Sequence, residues 1–337
     1  MMNKINFFSR LMLLTILIGH SACESDDTEE VTLGNWIERS DFEGRTRASS
    51  VCFVVGDRVF VGGGYNGSDD EYYDDFWVYD PQLNFWQSIT SFPGGGRSSA
   101  VAFSIGSKGY VGTGFDGDDE VKDFWEYDPA TNTWSQKADF GGTARRNAVG
   151  FSLDGHGYIG TGYDGSNTKD FWQYNPATDI WVQIPSLGGS KRQSAVAFVI
   201  DDKAYVGTGT NNGSYEFDLW ELDATLVGTD NFPWVEKEEL DAEDDYNLIR
   251  TGATAFSLNS IGYLIAGSQG SILSTVWAYN PRSDVWEQKT GLEGAARDDL
   301  IGFTVSERSF VALGKNGSSY FDDIWEFFPN EEYDEDD

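Results

Sequence analysis

Six arginines recur along the chain at nearly even intervals: Arg47, Arg97, Arg146, Arg192, Arg250 and Arg297, spaced by 50, 49, 46, 58 and 47 residues. A guanidinium is a planar fork of donors that grips a carboxylate through two parallel hydrogen bonds. Gathered round one channel mouth, these side chains would form an anion-binding ring suited to a carboxylated sugar. The same spacing supports a structural use. In five of the six units an aspartate stands two residues before a tryptophan: Asp75, Asp123, Asp170, Asp218 and Asp323. Arg–Asp pairs would then occupy the guanidinium groups, as near-perfect repetition implies. The unit of Arg250 carries Thr275 at that place, so Arg250 is the arginine expected to be left over for a ligand.

A second set of side chains recurs in the polar segments between the arginines. It comprises Tyr65, Asn66, Asp69 and Asp70; Phe115, Asp116, Asp118 and Asp119; Tyr163, Asp164 and Asn167; Asn211, Asn212 and Tyr215; then Gln269, Lys315 and Asn316. Aromatic rings cover the apolar face of a sugar, and amides and carboxylates take its hydroxyls. Asn, Asp and Gly also serve turns by their backbone preferences alone. Both uses are open for these positions.

Other chemistry is poorly supplied. Of two histidines, His20 lies in an N-terminal leader and only His156 remains, in a tight turn. That argues against a Ser-His-Asp triad and against a histidine-ligated copper or zinc centre. Cys52 sits in an apolar run and reads as a buried small residue, not a nucleophile. Asp116-Gly117-Asp118-Asp119-Glu120 is rich in oxygen ligands but lacks calcium-loop spacing. No phosphate loop or dinucleotide fingerprint is present, and no metal or cofactor is expected.

The elements that carry these residues are short strands. After each arginine come a small-and-apolar run (Ser99-Ala100-Val101-Ala102-Phe103), a tight turn, and a second run (Gly109-Tyr110-Val111-Gly112-Thr113-Gly114). A polar loop leads to Asp123-Phe124-Trp125-Glu126-Tyr127-Asp128-Pro129, and the unit ends at Thr133-Trp134-Ser135-Gln136. Each unit thus supplies four strands, a to d, bounded by turn residues. The tryptophans confirm the count. Trp77, Trp125, Trp172, Trp220, Trp277 and Trp325 fall in strand c, and Trp86, Trp134, Trp181, Trp234 and Trp286 in strand d. The sixth unit lacks a strand d, while Trp36 stands alone before the first. An N-terminal strand around Trp36 is therefore expected to complete the last unit and close the ring, leaving no open seam. In the fourth unit the two tryptophans are 14 residues apart, against 9 elsewhere, with the extra residues around 225–232. The acidic run from Glu236 to Asp245 lengthens the next connection, as a flap on the candidate face or as a solvated loop.

Four strands at a period near 50 resemble Kelch repeats. The resemblance covers about residues 35–330 and includes the propeller of galactose oxidase and the six-bladed sialic acid mutarotases of bacteria. The usual strand-b glycine doublet stands here as Gly112-Thr113-Gly114, Gly160-Thr161-Gly162 and Gly207-Thr208-Gly209. The resemblance implies an all-β, six-bladed β-propeller. It does not choose between enzyme and binder, since the fold hosts both. The b–c and d–a connections, long and varied, share one face of such a ring, and function is expected there.

The ends of the chain carry an address. Lys4, Arg10, the apolar run Leu11–Ile18 and Gly19-His20-Ser21-Ala22-Cys23 read as a secretory signal over 1–22. Small residues before Cys23 resemble a bacterial lipobox, although His20 stands where leucine is usual; an ordinary signal peptide is the alternative. The acidic stretch 23–34 reads as a tether and resembles the export signal of surface lipoproteins in Bacteroidetes-type bacteria. Residues 331–337 form an acidic tail. The net charge of -33 argues against nucleic acid and against a polybasic hold on lipid, so membrane attachment is expected only through an acyl anchor at Cys23. Together these features describe a monomeric, outer-membrane, surface-exposed lipoprotein. It would bind a glycan or a partner protein through the b–c and d–a face. The alternative is a sugar mutarotase or epimerase similar to the sialic acid mutarotases, working without metal or histidine.

Overall fold

Strand a of each unit alternates buried and half-buried side chains, and strand b is buried almost throughout, as expected for strands sandwiched between neighbouring sheets. The computed structural model describes residues 32–240 and 248–335. Cys23 with the leader and most of the tether lies outside the described residues, as do 241–245 of the acidic run. Among the described residues no helix is long and apolar enough to cross a membrane.

The described residues form six antiparallel four-stranded blades. Strands a are Val51–Val55, Val101–Ile105, Val149–Leu153, Val196–Ile200, Thr254–Leu258 and Ile301–Val305. Strands a of neighbouring blades pack side by side around an axial channel. Strand c carries Phe-Trp-x-Tyr in blades one to three, with the Phe and Tyr buried between blades. The strand-d tryptophan of the next blade meets that phenylalanine edge to face: Phe76 with Trp134 at 5.0 Å, Phe124 with Trp181 at 5.0 Å, and Phe171 with Trp234 at 4.8 Å. The turn after strand c is tied by a tyrosine hydroxyl that donates to an Asn or Asp five residues on, as Tyr127 does to Asn132 at 2.8 Å. The extra residues of blade four form a short 3₁₀ turn, Ala224–Leu226, ahead of strand d at Trp234–Glu236.

The ring closes as the tryptophan count requires. Leu33–Glu38 pairs antiparallel with Ile324–Glu332, setting Trp36 opposite Phe327, and their rings stack at 4.4 Å. Trp36 is fully buried against Val276 and Ala278 of blade five. Glu326, only 2% exposed, is gripped by Arg39 and Arg308 from either side of the seam. Deleting residues 35–40 should therefore destabilise the whole ring by at least about 5 kcal/mol, since losing one buried tryptophan already costs about 3–5. Chemical unfolding of the truncated chain checks this; a midpoint equal to that of the intact chain would refute the closure.

Candidate functional site

The arginines do not line an opening. Arg47, Arg97, Arg145, Arg192, Arg250 and Arg297 are all 0–2% exposed. Each stands four residues before the start of strand a and makes the same bonds. Nη1 donates to the carbonyl sixteen residues on: Gly63, Thr113, Thr161, Thr208, Ala266 and Leu313. Nε donates to the carbonyl two residues back. In five blades the guanidinium pairs with the expected aspartate, for example Arg145 with Asp170 at 2.9 Å through both oxygens. The strand-c tryptophan donates its indole N–H to that same carboxylate at 2.7–2.8 Å. The Asp-x-Trp spacing thus serves a three-way lock among arginine, aspartate and indole. Burial acts to raise the Asp75 and Asp170 carboxyls, but their arginines, with the indoles, outweigh it and hold both below the ordinary carboxylate value.

Two expectations from the sequence are corrected here. Arg146 is not the blade-three member of this set; Arg145 is. Two adjacent arginines fit the repeat almost equally well, and only Arg145 keeps the four-residue offset to strand a; a shift of one residue turns the side chain to the opposite side. Nor is Arg250 available to a ligand. It is fully buried and donates to the carbonyls of Leu248 and Ala266 and to the Thr275 hydroxyl, which takes the place of the aspartate.

The lock also joins blades. The glycine two residues past the end of each strand b donates its N–H to the carbonyl of the next blade's arginine: Gly64 to Arg97, Gly114 to Arg145, Gly162 to Arg192, Gly209 to Arg250, Gly267 to Arg297 and, closing the circle, Gly314 to Arg47, at 2.7–2.9 Å. At Gly162 φ is +100°, and a Cβ there would lie 2.8 Å from the Arg146 carbonyl oxygen, so only glycine fits.

The residue just after each locked arginine is free to vary, and it does: Ala48, Ser98, Arg146, Gln193, Thr251 and Asp298. Each pairs across to the first residue of a b–c hairpin, respectively Tyr65, Phe115, Tyr163, Thr210, Ser268 and Lys315. Sequence reading named four of these hairpin residues, without Thr210 and Ser268, and of their partners only Arg146, as a member of the arginine ring. The signal was there: one variable position beside an invariant one. The next residue, Ser49, Ser99, Asn147, Ser194, Gly252 or Asp299, is left-handed in every blade (φ +53° to +63°). Five backbone bonds of 2.7–3.0 Å run from one to the next around the channel mouth. Their side chains, with Ser50, form a polar collar around a cavity of ≈120 Å³, which continues into a shaft of ≈190 Å³ walled by Ala, Val and Cys52. Burial pushes the Cys52 thiol up to about 12.

The expected ligand residues therefore divide. On the rim, Tyr65 lies 4.5 Å from Tyr72, and Tyr72 5.8 Å from Phe115. Arg146 lies over both Phe115 (4.7 Å) and Tyr163 (5.3 Å), its side chain 35% exposed and 3.6 Å from Glu120. Asn167 donates to Asn211 at 3.2 Å, and the Tyr215 hydroxyl accepts from the Gly270 N–H at 2.9 Å. Others are occupied by the loops themselves. Asn66 is 4% exposed and bonded to Thr46; Asn316 donates to the Ala296 carbonyl; Asp164 accepts from Thr143 and Ser166. Asp116 accepts the N–H groups of Asp118 and Asp119, which lower its pKa and account for the acidic loop as a turn. Asn212 is exposed at its hairpin tip, and Gln269 half-buried. In blade six Lys315 binds Asp298 and Asp299, both at 2.8 Å. Burial raises the Asp298 carboxyl despite Lys315. Among the described residues no group of three or more His, Cys, Asp or Glu gathers as a metal site. His156 opens strand b of blade three, away from this face.

A model of the KLHDC2/KLHL20/DRC7 Kelch-repeats domain matches residues 35–206, and the Kelch motif matches 249–292. The chain belongs to the Kelch-repeat family. This Kelch propeller is also similar to the solved structure of YjhT, at 16% identity and a TM-score of 0.72, over 85% of this chain and 95% of that one. At that identity the likeness speaks to fold alone. No curated protein matches the sequence.

Replacing Arg145 by alanine should cost about 3 kcal/mol, because it strands a partly buried carboxylate, whereas Arg146→Ala should cost less than about 1 kcal/mol. Urea unfolding of the two variants decides; equal losses would overturn the assignment. A depressed carboxyl pKa stabilises the fold above the ordinary carboxylate pKa, and that contribution is lost as pH falls through the folded value. The stability gap between wild type and Asp170→Asn should therefore be widest above about pH 4 and narrow below it. A gap that widens in acid would contradict this.

Proposed function

We propose that this Kelch propeller is a binding module for a glycan, held on the b–c and d–a face and displayed at the cell surface through an acyl anchor on Cys23. One observation carries the reading: Arg146, against Phe115 and Tyr163, stands beside a collar of serine hydroxyls, Asn147 and Asp299. Aromatic faces suit the apolar side of a sugar ring, the collar suits its hydroxyls, and a half-exposed guanidinium suits an acidic group. In a chain of net charge -33, Arg146 on this face is a local cation that selects for such a group.

A second reading has its own observation. Asp298, with its raised carboxyl, touches Lys315 next to the collar residue Asp299, and a poised acid beside an amine is what proton transfer at an anomeric centre needs. That arrangement supports mutarotation as the alternative.

Ligand-observed NMR of the chain from residue 24 onward, with neutral and carboxylated sugars, separates the two. Binding of the carboxylated sugars without faster anomer exchange, weakened about tenfold or more by Arg146→Ala, is the expected result, since hydrogen bonds to a charged group contribute about 1.5–3 kcal/mol. Accelerated exchange abolished by Asp298→Asn would establish the mutarotase instead. No contact with any sugar would remove both. For the anchor, metabolic acyl labelling should be lost in Cys23→Ser; retained label would refute it.

A further inference from the structure

One cross-strand pair differs in blade five. Opposite the strand-b aromatic, strand c presents Glu126 in blade two, Gln173 in blade three and Glu221 in blade four. Each bonds the facing tyrosine hydroxyl: Tyr110 to Glu126 at 2.6 Å, Gln173 to Tyr158 at 2.6 Å, and Tyr205 to Glu221 at 3.0 Å. Blade one places apolar Phe60 against Val78, and blade six Phe310 against Glu326, which the seam arginines claim. Blade five keeps the tyrosine, Tyr263, but faces it with Ala278.

The missing side chain leaves a groove of ≈300 Å³ on blade five, bordered by Asn330 near the end of strand c of blade six. Ile261, Tyr263, Ala278 and Val285 line it, with Asn280, Glu287, Lys289 and Asn330 among its polar residues. Tyr263 is only 4% exposed, and its hydroxyl has no hydrogen-bond partner among the described residues. A buried polar group is normally satisfied, and one left open onto a groove is a place for a ligand atom. The charges that line the groove cancel, because Lys289 pairs with Glu287 at 2.6 Å. A closed cavity of about 150 Å³ already accepts a benzene ring. A six-membered sugar ring therefore fits, with its apolar face to Ala278, Ile261 and Val285 and its hydroxyls to Tyr263 and the amides.

We propose that the groove over Ala278 and Tyr263 is a second binding site, for one neutral pyranose ring, separate from the channel mouth. It does not rest on the reading of the mouth. Its selectivity is opposite: an uncharged groove gains nothing from an acidic group, whereas Arg146 does.

The test uses saturation-transfer NMR on the chain from residue 24 onward with the methyl glycosides of glucose, galactose and mannose, which cannot interconvert anomers. Ala278→Gln and Ala278→Glu restore the arrangements of blades three and two and fill the groove. Thermal melting confirms that they fold, and either alone suffices. The transfer should fall at least about fivefold in both, and about twofold or more in Tyr263→Phe, and stay unchanged in Leu83→Ser, an exposed side chain of blade one away from both the groove and the mouth. Signal that persists in the filled-groove variants, signal lost in Leu83→Ser, or no signal from any of the three glycosides would each overturn the site.

Discussion

The structure depends on one buried arginine used six times in two directions. Its side chain binds within a blade, to a carbonyl after strand b and, in five blades, to the aspartate that also takes the strand-c indole. Its own carbonyl binds between blades, accepting from the glycine two residues past strand b of the blade before. A guanidinium buried without partners would be costly, so the fold surrounds it with carbonyl and, in five blades, carboxylate oxygens. Because the Gly314–Arg47 bond is one of the six, the ring closes twice: once at this inner circle and once at the outer seam, where Trp36 and Glu326 lie.

Such a node fixes some positions and releases others. The arginine, the indole and the left-handed glycine stand in all six blades, and the aspartate in five, with Thr275 in its place in the other. The residue following the arginine only pairs its backbone with a hairpin, so its side chain can be anything that function asks. Ala, Ser, Arg, Gln, Thr and Asp occupy that position in the six blades. A rigid scaffold presenting one variable side chain per blade around a polar collar is how a symmetric frame acquires an asymmetric binding face.

The repeat, the four strands per unit and the closure by Trp36 were legible in the sequence, because each is written several times over or enforced by a count. The pairing of arginine with aspartate was legible for the same reason. Its register in blade three was not. Arg145 and Arg146 are neighbours, and a repeat whose spacing varies by several residues cannot separate them without the strand-a boundary. Arg250 misled for a different reason: a missing aspartate looks like a vacancy in one dimension, while in three the Thr275 hydroxyl and two carbonyls fill it. The groove of blade five was also hidden, since Ala278 becomes conspicuous only when strands b and c are laid side by side.

The account stands on the claim that the arginine–aspartate contact holds the ring together and is not a ligand site. A double-mutant cycle on Arg145→Ala and Asp170→Ala, followed by urea unfolding of the ligand-free chain, measures that contact directly. A coupling energy of about 2–3 kcal/mol is predicted, with the double variant little worse than either single. Coupling within about 0.5 kcal/mol of zero would mean that the two side chains stabilise the ring independently, and the central claim would fail.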